Sequence, residues 1–114
     1  MLFRYKKAYE KISMGLLSFM PQEKDVKKLL ETINQYEVNP DWHLFVWKKA
    51  EDVVGIIGVR IEDSAAILQH ISVNPSHRGE GIGKEMIQCL STQLQATIEP
   101  TEEIKAFFEK CQQA

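Results

Sequence analysis

The sequence predicts an α+β domain, a mixed and mostly antiparallel sheet flanked by helices, and three observations predict it. Apolar residues recur at helical spacing through the first third of the chain. The period then shortens to aromatic and β-branched runs joined by tight charged turns. A glycine-rich stretch, RGEGIG over residues 78–83, separates those runs from two more helical patterns. The resulting order is β-α-α-β-β-β-α-β-α.

Leu2 to Tyr5 reads as a short strand. From Lys7 to Phe19, residues Tyr9, Ile12, Leu16 and Leu17 mark one face of a helix that Gly15 weakens, and Pro21 breaks the pattern. A second helix from Glu23 to Tyr36 puts Val26, Leu29, Leu30 and Ile33 on one side, and Asn39-Pro40 stops it. WHLFVWKK, Trp42 to Lys49, reads as a strand buried on both faces. Strands over Val53 to Glu62 and Ala65 to Val73 follow across the turns at Ala50-Glu51-Asp52 and Asp63-Ser64, completing an antiparallel meander. Beyond the glycines, Ile82, Met86, Cys89, Leu90 and Gln93 form one side of a helix running to Gln95. Ala96 to Glu99 makes a very short strand. Pro100 opens a last helix over Thr101 to Gln112, with Ile104, Phe107, Phe108 and Cys111 on its apolar face.

The 114 residues make a single domain, 1–114, and the 44% hydrophobic and 26% charged composition is that of a globular protein rather than a disordered one. A net charge of −2 gives no basic field for nucleic acid or an anionic membrane. Lys24, Lys27 and Lys28 are interleaved with Glu23 and Asp25 and read as a solvated helix face. No apolar run approaches the ~20 residues that cross a bilayer. The first residues do not make a signal peptide, because Glu10 and Lys11 interrupt the apolar part and no small-residue cleavage site follows. These features predict a cytoplasmic protein. Cys89 and Cys111 are in no CxxC and have no histidine at ligand spacing, so no metal site is expected.

The glycines carry the chemistry. The first N–H groups of a helix lack intrahelical partners and its dipole places partial positive charge there, so a strand, a bare loop and a helix start together form an anion site. Three phosphate-cradling motifs compete for it. The P-loop pattern fails, because it requires glycine at Arg78 and a hydroxyl at Glu85. The dinucleotide pattern G-x-G-x-x-G, begun at Gly79, meets Lys84 where its third glycine belongs, and here it follows an antiparallel meander. The third pattern is Arg78-x-x-Gly81-x-Gly83, preceded by a strand carrying Ile71, Val73 and Pro75 and followed by an amphipathic helix. It resembles the acyl-CoA motif of the GNAT acetyltransferase superfamily. The element order resembles that family up to the fourth helix, with the family's final two strands absent. The segments GLLSFMP, HISVNPSHRGEGIGK and FFEKCQ further resemble the small GNAT-like proteins encoded in riboflavin operons of Gram-positive bacilli.

The resemblance implies an N-acetyltransferase that moves an acetyl group from acetyl-CoA to an unidentified small-molecule or peptidyl amine, with no nucleic-acid or membrane partner. It implies that the amides of Arg78, Gly79, Glu80, Gly81, Ile82, Gly83 and Lys84 hold the pyrophosphate, and that the backbone of Ile71, Ser72 and Val73, on a strand splayed from its neighbour, takes the pantetheine arm. Arg78 and Lys84 add positive charge. His70, beside the splay, is of the pKa class suited to a general base; its other reading is a core histidine hydrogen-bonded in place. His77 reads as a surface or phosphate-edge residue, and Glu62 and Asp63 as turn carboxylates. Where many members of the family carry a proton-donating tyrosine on the last helix, this chain has Phe108, and Thr101 stands where their asparagine does. A phenyl ring can pack on pantetheine but gives no proton. That departure supports an alternative, a non-catalytic acyl-CoA-binding regulatory protein. The strand at Ala96 to Glu99 is expected to be a sheet edge, which a second copy would cover in a homodimer.

Overall fold

A computed structural model describes residues 1–113 except Pro21 and Lys24, with Gln112 and Gln113 described in their backbone alone. The helix break expected at Pro21, the Lys24 member of the basic cluster and Ala114 lie outside the described residues. One five-stranded sheet runs in the order β1-β2-β3-β4-β5, formed by Leu2–Arg4, Trp42–Lys49, Asp52–Glu62, Ala65–Val73 and Thr97–Pro100. The first four strands pair antiparallel, and β5 joins β4 in parallel. That parallel pairing needs a crossover, which the helix after the glycines supplies. The helices are α1 (Glu10–Leu17), α2 (Val26–Val38), α3 (Ile82–Leu94) and α4 (Lys105–Gln113).

The two glycines inside β3 show how the layers lie. A Cβ on Gly58 would run into Tyr36 of α2, and one on Gly55 would approach Met86 of α3. Neighbouring strand positions alternate between faces, so α2 covers one face of the sheet and α3 the other. α1 packs with α2, over β3 and β4. The core between these layers holds Leu17, Ile33, Phe45, Ile56, Ile57, Leu68, Met86 and Leu90, all nearly inaccessible. Leu44, Phe45 and Val46 are buried in succession, as a strand covered on both faces requires.

Several helix faces are rotated from those the apolar pattern marks. In α1, which starts only after a 3-10 turn at Lys7–Tyr9, Ser13 is buried and Ile12 is exposed. In α2, Val26 and Leu30 face solvent while Leu29, Thr32, Ile33 and Tyr36 turn inward. In α3, Ile87 is buried and Gln93 exposed. In α2 the inward face carries a hydroxyl and a phenol, and these have buried polar partners, Glu23 in the α1–α2 connection and His70 on the sheet, that outweigh hydrophobicity at those positions. Pro100 closes β5 instead of opening α4, and a 3-10 turn at Glu102–Ile104 precedes the helix.

Candidate functional site

The site begins where two strands part. β4 and β5 pair from Ala65 opposite Thr97 to Leu68 opposite Pro100, and there the pairing ends. Proline has no N–H to continue a ladder, and the Thr101 amide makes a last bond to the Leu68 carbonyl at 3.1 Å. β4 runs on alone from Gln69 to Val73 on that side. The Asn74 amide bonds to Val54 on β3 at 2.8 Å. Backbone groups on an antiparallel strand alternate between its two sides, so the N–H and C=O groups of Ile71 and Val73 point into the fork, while those of Ser72 belong to β3. A bulge marks the apex: Gly58 faces His70 and Val59 faces Leu68, which leaves Gln69 as the surplus residue.

At its open end β4 passes through a 3-10 turn, Pro75–His77, into the glycine loop. Asn74 caps that turn by accepting the Ser76 amide at 2.9 Å. Gly79 and Gly81 have φ of +85° and +79°, in the left-handed region, and an added Cβ on either would meet nothing within 4 Å. They are glycine for conformation, and they leave the approach to the loop clear. Gly81 is also the N-cap of α3 and makes no side-chain cap, so the first amides of that helix face outward without one. Gly83 differs. It is buried, and a Cβ there would lie 2.9 Å from Cys111 Sγ and 3.8 Å from the Phe107 ring on α4. The third glycine of the motif is small because α4 sits on it.

Charge around the loop is organised by Glu80. Its Oε1 accepts from Lys49 Nζ, at the end of β2, at 2.8 Å, and is 3.3 Å from His77 Nδ1. These two contacts, the lysine's first, hold the Glu80 carboxyl below the usual carboxylate range. The Arg78 Nε donates to the Val73 carbonyl at 3.3 Å, and its guanidinium lies 5.7 Å from the centre of the Phe19 ring. The sequence reading singled out Arg78 but missed Lys49, whose position beside the loop comes from strand pairing alone.

The buried chemistry is on the α1/α2 face of the bulge. His70 is 7% exposed and both its ring nitrogens are engaged. Nδ1 is 2.7 Å from the Tyr36 hydroxyl, and Nε2 is 2.9 Å from Oε1 of Glu23, itself 2% exposed. Thr32 Oγ1 donates to the same carboxylate at 3.1 and 3.2 Å. Gln69 Nε2 donates to the Tyr36 oxygen at 3.2 Å, and Arg60 donates to Gln69 Oε1 at 3.1 Å. In the neutral imidazole with the proton on Nε2, that nitrogen donates to the Glu23 carboxylate, which only accepts, and Nδ1 is left to accept from the Tyr36 O–H. Burial pushes the Tyr36 phenol above the usual tyrosine range, so it is a proton donor at neutral pH. Of this network the sequence reading named only His70 as functional; Glu23 and Tyr36 stood there as helix residues.

Phe108 lines an open groove with Ile87, Gln88, Ser91 and Thr92 of α3 and Thr97 and Ile98 of β5. No residue of β4 lines that groove, so the ring and the free backbone of Ile71 and Val73 are not brought together there. Among the described residues no group of three or more His, Cys, Asp or Glu side chains is placed to hold a metal ion, and no helix is long and apolar enough to cross a membrane.

Comparison with known proteins agrees with the geometry. Residues 40–112 match the acetyltransferase (GNAT) domain family. A Bacillus methanolicus protein described as an uncharacterized N-acetyltransferase in the lysA 3′ region is 54% identical, over 98% of this chain and 95% of its own. Among solved structures, the aminoglycoside 6′-N-acetyltransferase AAC(6′)-Ig of Acinetobacter haemolyticus superposes with a TM-score of 0.75 at 11% identity, over 98% of this chain and 86% of that one. AAC(6′)-Iy, in complex with the bisubstrate analogue CoA-S-monomethyl-acetylneamine, gives 0.76 at 16%, over 99% and 86%. At such identities the two structures establish likeness of fold.

Proposed function

The chain belongs to the GNAT acetyltransferase family, and from that premise we propose that it transfers the acetyl group of acetyl-CoA to a small-molecule or peptidyl amine, with the fork between β4 and β5 and the loop at residues 78–84 as its cofactor site. One observation carries this reading: the freed backbone of Ile71 and Val73 leads directly into two positive-φ glycines with open space before them and a helix N-terminus behind. The residues fit the group. Lys49 and Arg78 stand beside the loop with Lys84 in the first turn of α3, the amides of Gly79 to Lys84 suit a pyrophosphate, and the Ile71 and Val73 groups suit the amides of a pantetheine arm.

Acetyl-CoA supplies an activated thioester, and the protein's part is to hold it and manage charge and protons. The Ile71 N–H, freed just past the bulge, is positioned to stabilise an oxyanion developing at the fork. His70 serves as the base, through the groups that bind it. Arg78 caps the Val73 carbonyl in this structure and would give up that bond to the pantetheine arm as it moves to the phosphates.

Calorimetric titration with acetyl-CoA and with CoA tests the assignment: micromolar binding of one or both is expected, and no binding overturns it. A second reading, acyl-CoA binding without transfer, is favoured by the missing hydroxyl at Phe108; release of CoA in the presence of an acceptor amine excludes it. The segments GLLSFMP, HISVNPSHRGEGIGK and FFEKCQ also support kinship with RibT, the GNAT-like protein of riboflavin operons, and with it a role in the cytoplasm beside flavin synthesis. Flavin pools that do not change on deletion of the gene would remove that link. The outer edge of β5 is the surface we assign to a homodimer, to be checked by light scattering.

A further inference from the structure

We propose that Tyr36, His70 and Glu23 form a proton relay at the apex of the fork, with the Tyr36 hydroxyl, and not His70, as the group that meets the acceptor amine. This rests on the reading of the fork as the acetyl-CoA site. Three observations lead to it. Both nitrogens of His70 are occupied, whereas the Tyr36 oxygen, bonded to one of them and accepting from Gln69, keeps a second lone pair for a further donor. The Tyr36 hydroxyl lies against Gly58, the residue paired with His70 at the bulge, and the Gln69 amide holds it there. Pairing with β5 ends at Leu68, one residue before that bulge, so the phenol stands at the point where the strands separate.

With the imidazole proton on Nε2 the network has a single sense from end to end: Arg60 to Gln69, Gln69 to Tyr36, Tyr36 to His70, and His70 with Thr32 to Glu23. A carboxylate behind an imidazole behind a hydroxyl is an arrangement that lets the hydroxyl accept a proton while it passes its own inward. In the transfer the amine N–C bond forms, the thioester C–S bond breaks, and one proton moves from nitrogen to sulfur. The Tyr36 oxygen takes that proton as its own passes to His70 Nδ1. The resulting imidazolium is held by the Glu23 carboxylate, and the same path in reverse delivers the proton to the departing sulfur. The relay thus supplies what Phe108 lacks. Glu23 touches no reacting atom and is a positioning residue; its charge and that of Arg60, one step beyond Gln69, are the formal charges that face the relay among the described residues.

Two measurements test it. In the free protein, nitrogen-15 NMR should find His70 as the neutral tautomer protonated on Nε2; protonation on Nδ1 instead would reverse the relay and overturn it, whatever the enzyme does. Turnover is then followed as CoA thiol release from acetyl-CoA, with spermidine, a lysine-containing peptide and water as acceptor probes. Tyr36→Phe, which keeps the ring, should lower kcat on the order of 10²-fold and leave acetyl-CoA affinity within about twofold. Glu23→Gln should lower kcat and move the ascending limb of its pH profile to lower pH by about one unit, because a charge stabilising the protonated relay is lost. A purely structural role would lower the melting temperature and kcat together and leave that limb in place, and wild-type kcat in Tyr36→Phe would likewise end the proposal. If the protein binds acetyl-CoA but no probe draws thiol release, the relay falls and the cofactor assignment stands; if it does not bind, the cofactor reading fails first.

Discussion

The Tyr36 hydroxyl occupies the place where a side chain on Gly58 would be. Gly58 is therefore small for the sake of a residue on another element, and that contact joins α2 to β3 opposite the bulge in β4. A methyl at position 58 must displace the phenol or the strand, at a cost of about 1–3 kcal/mol for overpacking. Gly58→Ala is expected to lower the unfolding free energy from chemical denaturation by that amount and to detach Tyr36 from His70. Acetyl-CoA affinity should change less than stability does, because the pyrophosphate loop lies beyond Val73 and makes no contact with position 58. A variant with unchanged stability would mean that the phenol has room to move aside.

This pairing also shows what the sequence could and could not reveal. The strands were legible because aromatic and β-branched runs with tight turns admit few alternatives; Trp42–Lys49 and Ala65–Val73 agree to the residue. The loop was legible because three glycines, an arginine and a proline at fixed spacing form a local pattern. The buried network has no such pattern. Glu23, Thr32, Tyr36, Gln69 and His70 meet only after two helices fold onto the sheet, with His70 and Glu23 47 positions apart. Its one local trace is inside α2, where Thr32 and Tyr36 share a face with Leu29 and Ile33. A helix face chosen by hydrophobicity alone, with Val26 and Leu30 on it, hides that polar set. The separate reasons for the glycines were also hidden, since positive φ at Gly79 and Gly81 and close packing at Gly83 look identical in sequence.

Glu80 is an acid inside a loop read as an anion site, and its partners explain how it is tolerated. Lys49 first, then His77, hold its carboxyl below the ordinary range. A depressed carboxyl contributes fully above its unfolded value and loses that contribution as pH falls toward the folded one, so the pin on Lys49 persists at neutral pH and fades only in acid. Glu80→Gln removes the negative charge and leaves Lys49 available to a phosphate. CoA should then bind several-fold more tightly at low salt, with the difference shrinking at roughly 0.5 M salt as screening shortens the reach of the charge. Equal affinities at low salt would show that Lys49 does not act on the ligand.

Ser13 points the other way, toward a site where polarity gains nothing. It is fully buried in α1, and its Oγ is the one buried side-chain polar atom without a hydrogen-bond partner among the described residues. An unsatisfied buried hydroxyl costs on the order of 1–3 kcal/mol relative to its hydrated state. Ser13→Ala deletes it and improves helix propensity. The variant should be more stable by about 1 kcal/mol in denaturant titration, and a loss of stability would reveal a partner for the hydroxyl.

The two kinds of glycine in the loop separate binding from folding. Gly81, at φ +79° with open space before it, is in the path of a ligand and in a conformation that side chains resist. Gly81→Val should strain the cap of α3 by about 1–2 kcal/mol and weaken CoA binding on the order of 10²-fold or more. A Cβ on Gly83 instead meets Cys111 Sγ on α4, distant in sequence but in contact in the fold. Gly83→Ala should therefore loosen α4 first and cost stability, and shortening the opposing side chain in Gly83→Ala/Cys111→Ala should restore most of it. The coupling between the two changes, read as the departure from additivity in a double-mutant cycle, is the decisive quantity. Strict additivity would mean that Gly83 serves the loop as Gly81 does, and that α4 does not depend on it.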